Sequence, residues 1–91
     1  MTITCIQLRV TGKVQGVSYR ISAKREADKL GLTGWVRNQS DGSVDILIEG
    51  YQTELDTFIQ WAQNGPQYAD VHHVSIKSLT TSPEYNDFNI R

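Results

Sequence analysis

Residues 5–31 read CIQLRVTGKVQGVSYRISAKREADKLG and establish how the chain begins to fold. Ile6, Leu8 and Val10 alternate with polar residues, a period of two that is typical of a strand with one buried face. A helix is predicted after this strand, because an apolar stripe recurs at helical spacing and Gly31 can end the helix in the left-handed conformation. The stripe consists of Tyr19, Ala23, Ala27 and Leu30.

The segment that follows predicts a β-hairpin. Residues 35–39 and 44–49 are two strand-like runs separated by a short polar segment. A three-residue turn with Gly42 in the left-handed conformation pairs Val36 with Ile46 on one face. A two-residue turn would shift this register by one residue. We favour the three-residue turn.

The second half of the chain predicts another helix and two further strands. Thr53 is expected to cap the helix, and residues 64–66 are expected to stop it. Residues 71–79 alternate in the manner of a strand, and residues 88–90 indicate a short closing strand after Pro83. The apolar stripe of the second helix consists of Leu55, Phe58, Ile59 and Ala62.

The element order is therefore βαββαβ with one additional terminal strand. Two helices in this order cover one face of an antiparallel sheet, and a right-handed crossover through the first helix gives a ferredoxin-like sandwich of the α+β class. Residues 1–91 are expected to form a single domain, because a chain of 91 residues is too short for a second core. This fold hosts unrelated functions, so the function must be inferred from a site.

Composition excludes several classes of partner. Nine Lys and Arg residues against ten Asp and Glu give a net charge of -1, so no broad basic field is available for nucleic acid or an anionic membrane. No stretch approaches the ~20 apolar residues of a membrane span, and the N-terminal residues lack the pattern of a signal peptide. Cys5 is the single cysteine and is expected to be a passive thiol in a reducing compartment. We therefore expect a cytoplasmic protein.

The two histidines do not predict a metal site. His72 and His73 are adjacent in a predicted strand, so their side chains are expected on opposite faces, which argues against joint metal binding.

The most informative segment runs from Gly12 to Arg20, between the first strand and the first helix. A turn of this kind aims free backbone N–H groups and the positive end of the helix dipole at one point, where a phosphate could bind. Alternatively, the glycines serve only the tight turn. The segment is neither a dinucleotide fingerprint nor a nucleoside-triphosphate P-loop, because GxGxxG is missing and Val14 follows Lys13.

Two polar side chains extend this hypothesis. Arg20 stands at the start of the helix, where the dipole disfavours a cation, so an anion is expected to compensate it. A guanidinium group matches two phosphate oxygens. Asn38 lies near the end of the second strand although asparagine has a low β propensity. It either has a function there or simply bonds the backbone near the turn.

In their order and spacing, these residues resemble the signatures of acylphosphatases. The matching segments are GxVQGVxYR at 12–20, LGLxGWVRN at 30–38 and DGxVD at 41–45, followed by Gly65-Pro66, Ala69-x-Val71 and Phe88-x-Ile90-Arg91. The resemblance covers nearly the whole chain. Tyr19 stands where the family usually has Phe, Gln39 where Thr is common, and Asp45 where Glu is usual. These departures leave Arg20 and Asn38 in place.

The resemblance implies an acylphosphatase-like domain that hydrolyses the carboxyl-phosphate bond of small acyl phosphates, without metal, cofactor or covalent intermediate. The products are a carboxylate and inorganic phosphate, and phosphate is also the expected inhibitor of what we expect to be a monomer. The Asn38 amide would orient the attacking water. The phosphoryl group would be held by the Arg20 side chain and by the backbone N–H groups of Gln15, Gly16, Val17, Ser18, Tyr19 and Arg20.

The physical chemistry agrees with that implication. An acyl phosphate already has a good leaving group, so the enzyme needs mainly to position the phosphoryl group, stabilise its equatorial oxygens and orient a water. No strong base is required.

The main alternative is a non-catalytic ferredoxin-like module that binds RNA or senses a ligand. RNA binding fits poorly, because residues 44–48 contain no aromatic residue and the net charge is negative. A sensor that binds phosphate without turnover stays open from the residues alone.

Overall fold

Five strands and two helices are present in the computed structural model, which describes residues 2–80 and 84–91. The elements are β1 (Thr4–Lys13), α1 (Tyr19–Leu30), β2 (Thr33–Asn38), β3 (Val44–Gly50), α2 (Gln52–Asn64), β4 (Asp70–Leu79) and β5 (Phe88–Ile90). Their order confirms the predicted βαββαβ arrangement with an additional terminal strand. Pro83, expected just before that strand, lies outside the described residues.

The strands form one sheet in the order β4-β1-β3-β2-β5. The first four strands pair antiparallel, as predicted, and the additional strand β5 pairs parallel with β2, so the five-stranded sheet is mixed. Pairings across the sheet explain the direction of β5, because Leu79 at the end of β4 aligns through Cys5 and Glu49 with Thr33 at the start of β2. The chain thus leaves β4 at the end of the sheet where β2 begins, and β5 runs beside β2 in the same direction.

The register of the hairpin is the predicted one. Val36 pairs with Ile46, and Gly42 adopts a positive φ of 93°. The Gln39 N–H donates to the Ser43 carbonyl at 2.8 Å and closes the turn. This register places Val36 and Ile46 on the face of the sheet that the helices cover.

The core lies between that face and the two helices. Ile6, Leu8 and Val10 of β1 are buried there, which confirms the predicted alternation. Both predicted helical stripes also face this core, with Leu30 and Ile59 partly buried at its margin. The buried members of the two stripes are Tyr19, Ala23 and Ala27 of α1 and Leu55, Phe58 and Ala62 of α2.

The predicted cap of α2 is wrong. Tyr51 precedes the helix in an extended conformation, and its carbonyl accepts a hydrogen bond from the Leu55 N–H at 3.0 Å. Thr53 therefore lies within the first turn, and its hydroxyl donates to the Glu54 carboxylate at 2.9 Å. The helix begins earlier than its cap-forming residue suggested because β3 leads into it almost directly.

Lys24 of α1 is half-buried and Cys5 of β1 is buried, although neither belongs to an apolar stripe of the helices. The ammonium group of Lys24 in α1 donates to the Phe88 carbonyl at 2.8 Å and pairs with Asp28 at 3.0 Å. The lysine is half-buried because β5 packs beside α1. Cys5 is buried as well.

Within the described ranges, neither helix is long and apolar enough to cross a membrane.

Candidate active site

A cavity of about 280 Å³ opens where the N-terminus of α1, the end of β2 and β5 come together. It contains Arg20 and Asn38, the two side chains that the sequence singled out. The lining residues are Val14, Gly16, Ser18, Tyr19, Arg20, Ile21, Asn38 and Ile90. The structure therefore brings together residues from three separate elements at the point where an anion was expected.

The loop before α1 has a backbone suited to anion binding. Gly16 has a φ of 74° and Ser18 a φ of 66°, so the chain enters the left-handed region at every second residue. This alternation turns successive N–H groups toward one point. Across residues 2–80 and 84–91, no protein acceptor bonds the N–H groups of residues 15–20. Free N–H groups at the positive end of a helix favour the binding of an anion.

Ser18 is conformationally strained. It is the one residue other than glycine with a positive φ in the described part of the chain. A left-handed conformation costs a residue with a Cβ atom roughly 1–2 kcal/mol. Such strain is found at sites where the surrounding structure maintains a functional geometry. The Ser18 carbonyl contributes to that geometry by accepting the Ser22 N–H at 3.1 Å, which begins α1.

Arg20 is the second residue of α1, and the first turn of that helix contains no acidic residue. Its Nη1 donates to the main-chain oxygen of Arg91 at 3.4 Å, a long contact on the surface. The guanidinium charge therefore adds to the positive end of the helix dipole, and no acidic side chain of the first turn offsets it. Both charges favour an anion in the cavity.

Gln15 and Val17 belong to the predicted phosphate loop, but neither lines the cavity. The Gln15 side chain turns toward the hairpin, where its Nε2 donates to the carbonyls of Gln39 at 2.7 Å and Ser43 at 2.9 Å. Val17 packs against the core. Their side chains hold the loop in place, while Gly16 and Ser18 lie at the cavity surface. The residue types in the loop do not indicate which of them line the cavity and which support the loop from behind.

Tyr19 connects the loop to the second helix. Its hydroxyl donates to the Ala62 carbonyl at 2.8 Å, and the centre of its ring lies 5.2 Å from the centre of the Trp61 ring. Burial raises the pKa of the Tyr19 phenol, so the group stays protonated and remains a donor. The Ala62 carbonyl is in the last turn of α2, where intrahelical donors are missing. Tyr19 thus satisfies the end of α2 and fixes the start of α1.

Asn38 is the last residue of β2 and is exposed to solvent. Because side chains alternate along a strand, Asn38 lies on the same face of the sheet as Val36, the face toward α1. The Asn38 amide makes no hydrogen bond to any described part of the chain. It is therefore available to a molecule in the cavity.

Ile21 and Ile90 line the cavity but were not predicted as site residues. Ile21 directly follows Arg20 and lies outside the buried stripe of α1, which is the one signal the sequence contained. Ile90 lies in β5, and its place beside the cavity depends on the parallel pairing with Val36. The described residues contain no group of three or more His, Cys, Asp or Glu arranged to hold a metal ion.

The sequence of the chain is similar to that of known proteins of one family. The acylphosphatase family model matches residues 6–90. A curated acylphosphatase from Marinobacter nauticus is 47% identical over 88 residues, which cover 97% of this chain and 96% of that protein.

Solved acylphosphatases have the same fold. The structure from Coxiella burnetii has a TM-score of 0.93 at 38% identity and covers 98% of this chain and 93% of its own. The structure from Bacillus subtilis has a TM-score of 0.93 at 35% identity and covers 97% of this chain and 98% of its own. With matches of this extent in sequence and in fold, the chain belongs to the acylphosphatase family of hydrolases.

Proposed function

We propose that the cavity at the start of α1 hydrolyses acyl phosphates, with Arg20 and Asn38 as its catalytic residues. One observation supports this most directly. Gly16, Ser18, Tyr19 and Arg20, whose N–H groups have no acceptor in the described parts of the chain, line the same cavity as the exposed Asn38. These groups supply anion binding on one side and a neutral polar contact for water on the other.

The phosphoryl group binds in the concave loop. Backbone N–H groups of Gln15, Gly16, Val17, Ser18, Tyr19 and Arg20 donate to its equatorial oxygens, and the Arg20 side chain adds a charged fork of two donors. In the transition state, negative charge is spread over these oxygens. Donors fixed in advance therefore stabilise the transition state without reorganising.

The Asn38 amide positions the attacking water. The water oxygen forms a new bond to phosphorus while the bond between phosphorus and the acyl oxygen breaks. The electron pair of the broken bond leaves with the carboxylate, and the water proton passes to the phosphate product. Because the carboxylate is a good leaving group, this reaction needs no strong base, metal or covalent intermediate.

Several further properties belong to the same proposal. Inorganic phosphate, as the product, is a competitive inhibitor that occupies the loop. Residues 1–91 form a single acylphosphatase-like domain that works as a monomer in the cytoplasm, with neither nucleic acid nor a membrane as a partner. The net charge of -1 and the single cysteine support these assignments.

Hydrolysis of benzoyl phosphate, with and without a chelator, tests the reaction. The Arg20→Gln variant tests the assignment, and Arg25→Gln is its matched control, because Arg25 is an exposed arginine of the same helix outside the cavity. We expect Arg20→Gln to lose activity by a factor on the order of 10² or more. Arg25→Gln should retain activity. A folded Arg20→Gln enzyme with normal turnover would refute the role of Arg20.

The same experiment separates catalysis from phosphate sensing. A protein that binds inorganic phosphate but leaves benzoyl phosphate intact would be a sensor. Loss of activity in the chelator would show a metal requirement and contradict the proposed mechanism.

A further inference from the structure

We propose that this cavity selects acyl phosphates whose acyl group is apolar and uncharged, and that Ile21 and Ile90 are its specificity-determining residues. This inference rests on the proposed function, because the phosphoryl group must occupy the loop for the acyl group to reach these side chains.

The two isoleucines form an exposed apolar wall beside the polar end of the cavity. Ile21 is 55% exposed and Ile90 is 39% exposed, and both line the cavity that contains Arg20 and Asn38. A single exposed isoleucine is common on a protein surface. Here two come from different elements, α1 and β5, and meet at one opening. An acyl group that extends from the bound phosphoryl group would cover this surface and remove it from water.

The distribution of charge favours an uncharged acyl group. Arg20 is the one cation among the lining residues that the structure describes, and the phosphoryl group uses it. Arg37 and Arg91 are close in sequence to the site, but their guanidinium groups lie 4.7 and 5.0 Å from the centre of the Trp35 ring. Neither of them lines the cavity. A carboxylate on the acyl group would therefore gain no ion pair beside the isoleucines, whereas an apolar acyl group gains an apolar contact there.

The expected kinetic effect follows from where the contact is made. The acyl chain beyond the carbonyl does not take part in bond breaking, so its contact is similar in the ground state and the transition state. Such uniform binding lowers KM and leaves kcat nearly unchanged. Apolar contacts of this size discriminate between substrates by about three- to tenfold in an open site.

Acetyl, butyryl and succinyl phosphates provide the test. Acetyl and butyryl phosphates release carboxylates of similar acidity, so their ratio of kcat/KM isolates the contact of the longer chain. In Ile21→Ser and Ile90→Thr, we expect kcat/KM for butyryl phosphate to fall about three- to tenfold through KM, with acetyl phosphate changed less than about twofold. Ile76→Ser and Ile3→Thr are matched controls, because these isoleucines are 50% and 38% exposed outside the cavity.

A charge substitution tests the same wall in the opposite direction. Ile21→Lys should raise kcat/KM for succinyl phosphate relative to butyryl phosphate by about tenfold, because it places a cation beside the acyl group. Unchanged substrate ratios in all three cavity variants, or equal changes in the Ile76→Ser and Ile3→Thr controls, would overturn the inference while leaving acyl phosphate hydrolysis intact. Failure of the wild-type protein to hydrolyse acetyl phosphate would instead overturn the proposed function.

Discussion

Arg20 occupies a position that is poor for helix stability. It lies in the first turn of α1, where no acidic residue is present and the helix dipole is positive. A cation there is destabilising, since the N-terminus of a helix favours negative charge. Ser18, two residues earlier, adds a left-handed conformation. Both features are explained if the loop is shaped to bind an anion. Without a bound anion, the protein is then destabilised by each of them.

The first prediction concerns the destabilising effect of Arg20 on the protein without a bound anion. In the absence of phosphate, Arg20→Gln should stabilise the protein by about 0.3–1 kcal/mol, because it removes a cation from the positive end of α1. Urea unfolding of the variant and the wild type in phosphate-free buffer measures this difference. Arg25→Gln, which leaves the first turn unchanged, should show no such gain. A clear loss of stability in Arg20→Gln would indicate that the arginine supports the fold.

The second prediction separates binding from chemistry at Asn38. Asn38→Ala should lower turnover by roughly 10²- to 10³-fold, because a transition-state hydrogen bond is lost. Phosphate affinity should change much less, because the amide is assigned to the water. Kinetics and phosphate titration on one preparation measure both quantities. Equal losses would place Asn38 in the phosphate cradle, and an unchanged rate would reduce it to a residue beside the turn.

At the scale of elements, the hairpin of β2 and β3 carries Asn38 and also contacts the loop before α1. The Gln39 carbonyl accepts the Gln15 side chain from the loop. The Gln39 side chain in turn donates to the Asp45 carboxylate at 2.6 Å. Gln39 and Asp45 both depart from the family pattern. Gln39 is longer than the Thr that is common at its position, and Asp45 is shorter than the usual Glu. From this hydrogen bond we expect the two departures to compensate each other in length.

The third prediction tests this compensation. Gln39→Thr alone leaves a buried Asp45 oxygen short of a donor, and Asp45→Glu alone crowds the longer glutamine. Each change should cost about 1–2 kcal/mol of stability. The double variant should recover most of the loss, with a coupling energy of about 1 kcal/mol or more from a double-mutant cycle of urea unfolding. Additive losses would show that the two departures are independent.

Local patterns predicted the elements because each depends on nearby residues. Alternation identified β1, helical spacing identified both helices, and the position of Gly42 fixed the register of the hairpin. The error at Thr53 arose because a cap depends on where the preceding strand ends, and its residue type does not reveal this. The side chain of Gln15 was likewise unpredictable, since its acceptors are main-chain carbonyls of the distant hairpin.

Properties that depend on the whole molecule were harder to predict. The three residues of β5 are too few for a periodic pattern, and their direction depends on where β4 ends. That pairing also decides which side chain of β5 reaches the cavity, so Ile90 could not be identified. Arg20 and Asn38 were identifiable because their residue types conflict with their local structure.

The fourth prediction links binding at the loop to the stability of the entire domain. A ligand that binds only the folded state stabilises it, by about 1.4 kcal/mol at roughly ten times its Kd. For a domain of this size, phosphate should then raise Tm by about 5–10 °C. Thermal unfolding with increasing phosphate measures the shift, and a chelator should not alter it. Arg20→Gln should lose most of this shift. An unchanged Tm at saturating phosphate would argue against the loop as the anion site.

The strand order has a consequence for folding kinetics. β1 lies between β3 and β4, so Thr4 pairs with Gly50 and Lys13 with Asp70. Long chain segments must close before these pairs form, and the entropy of closure is lost before the contacts compensate it. This high contact order slows folding relative to helical bundles, to a scale on the order of milliseconds to seconds. Since the cavity is assembled from α1, β2 and β5, the return of activity during refolding reports when these three elements have come together.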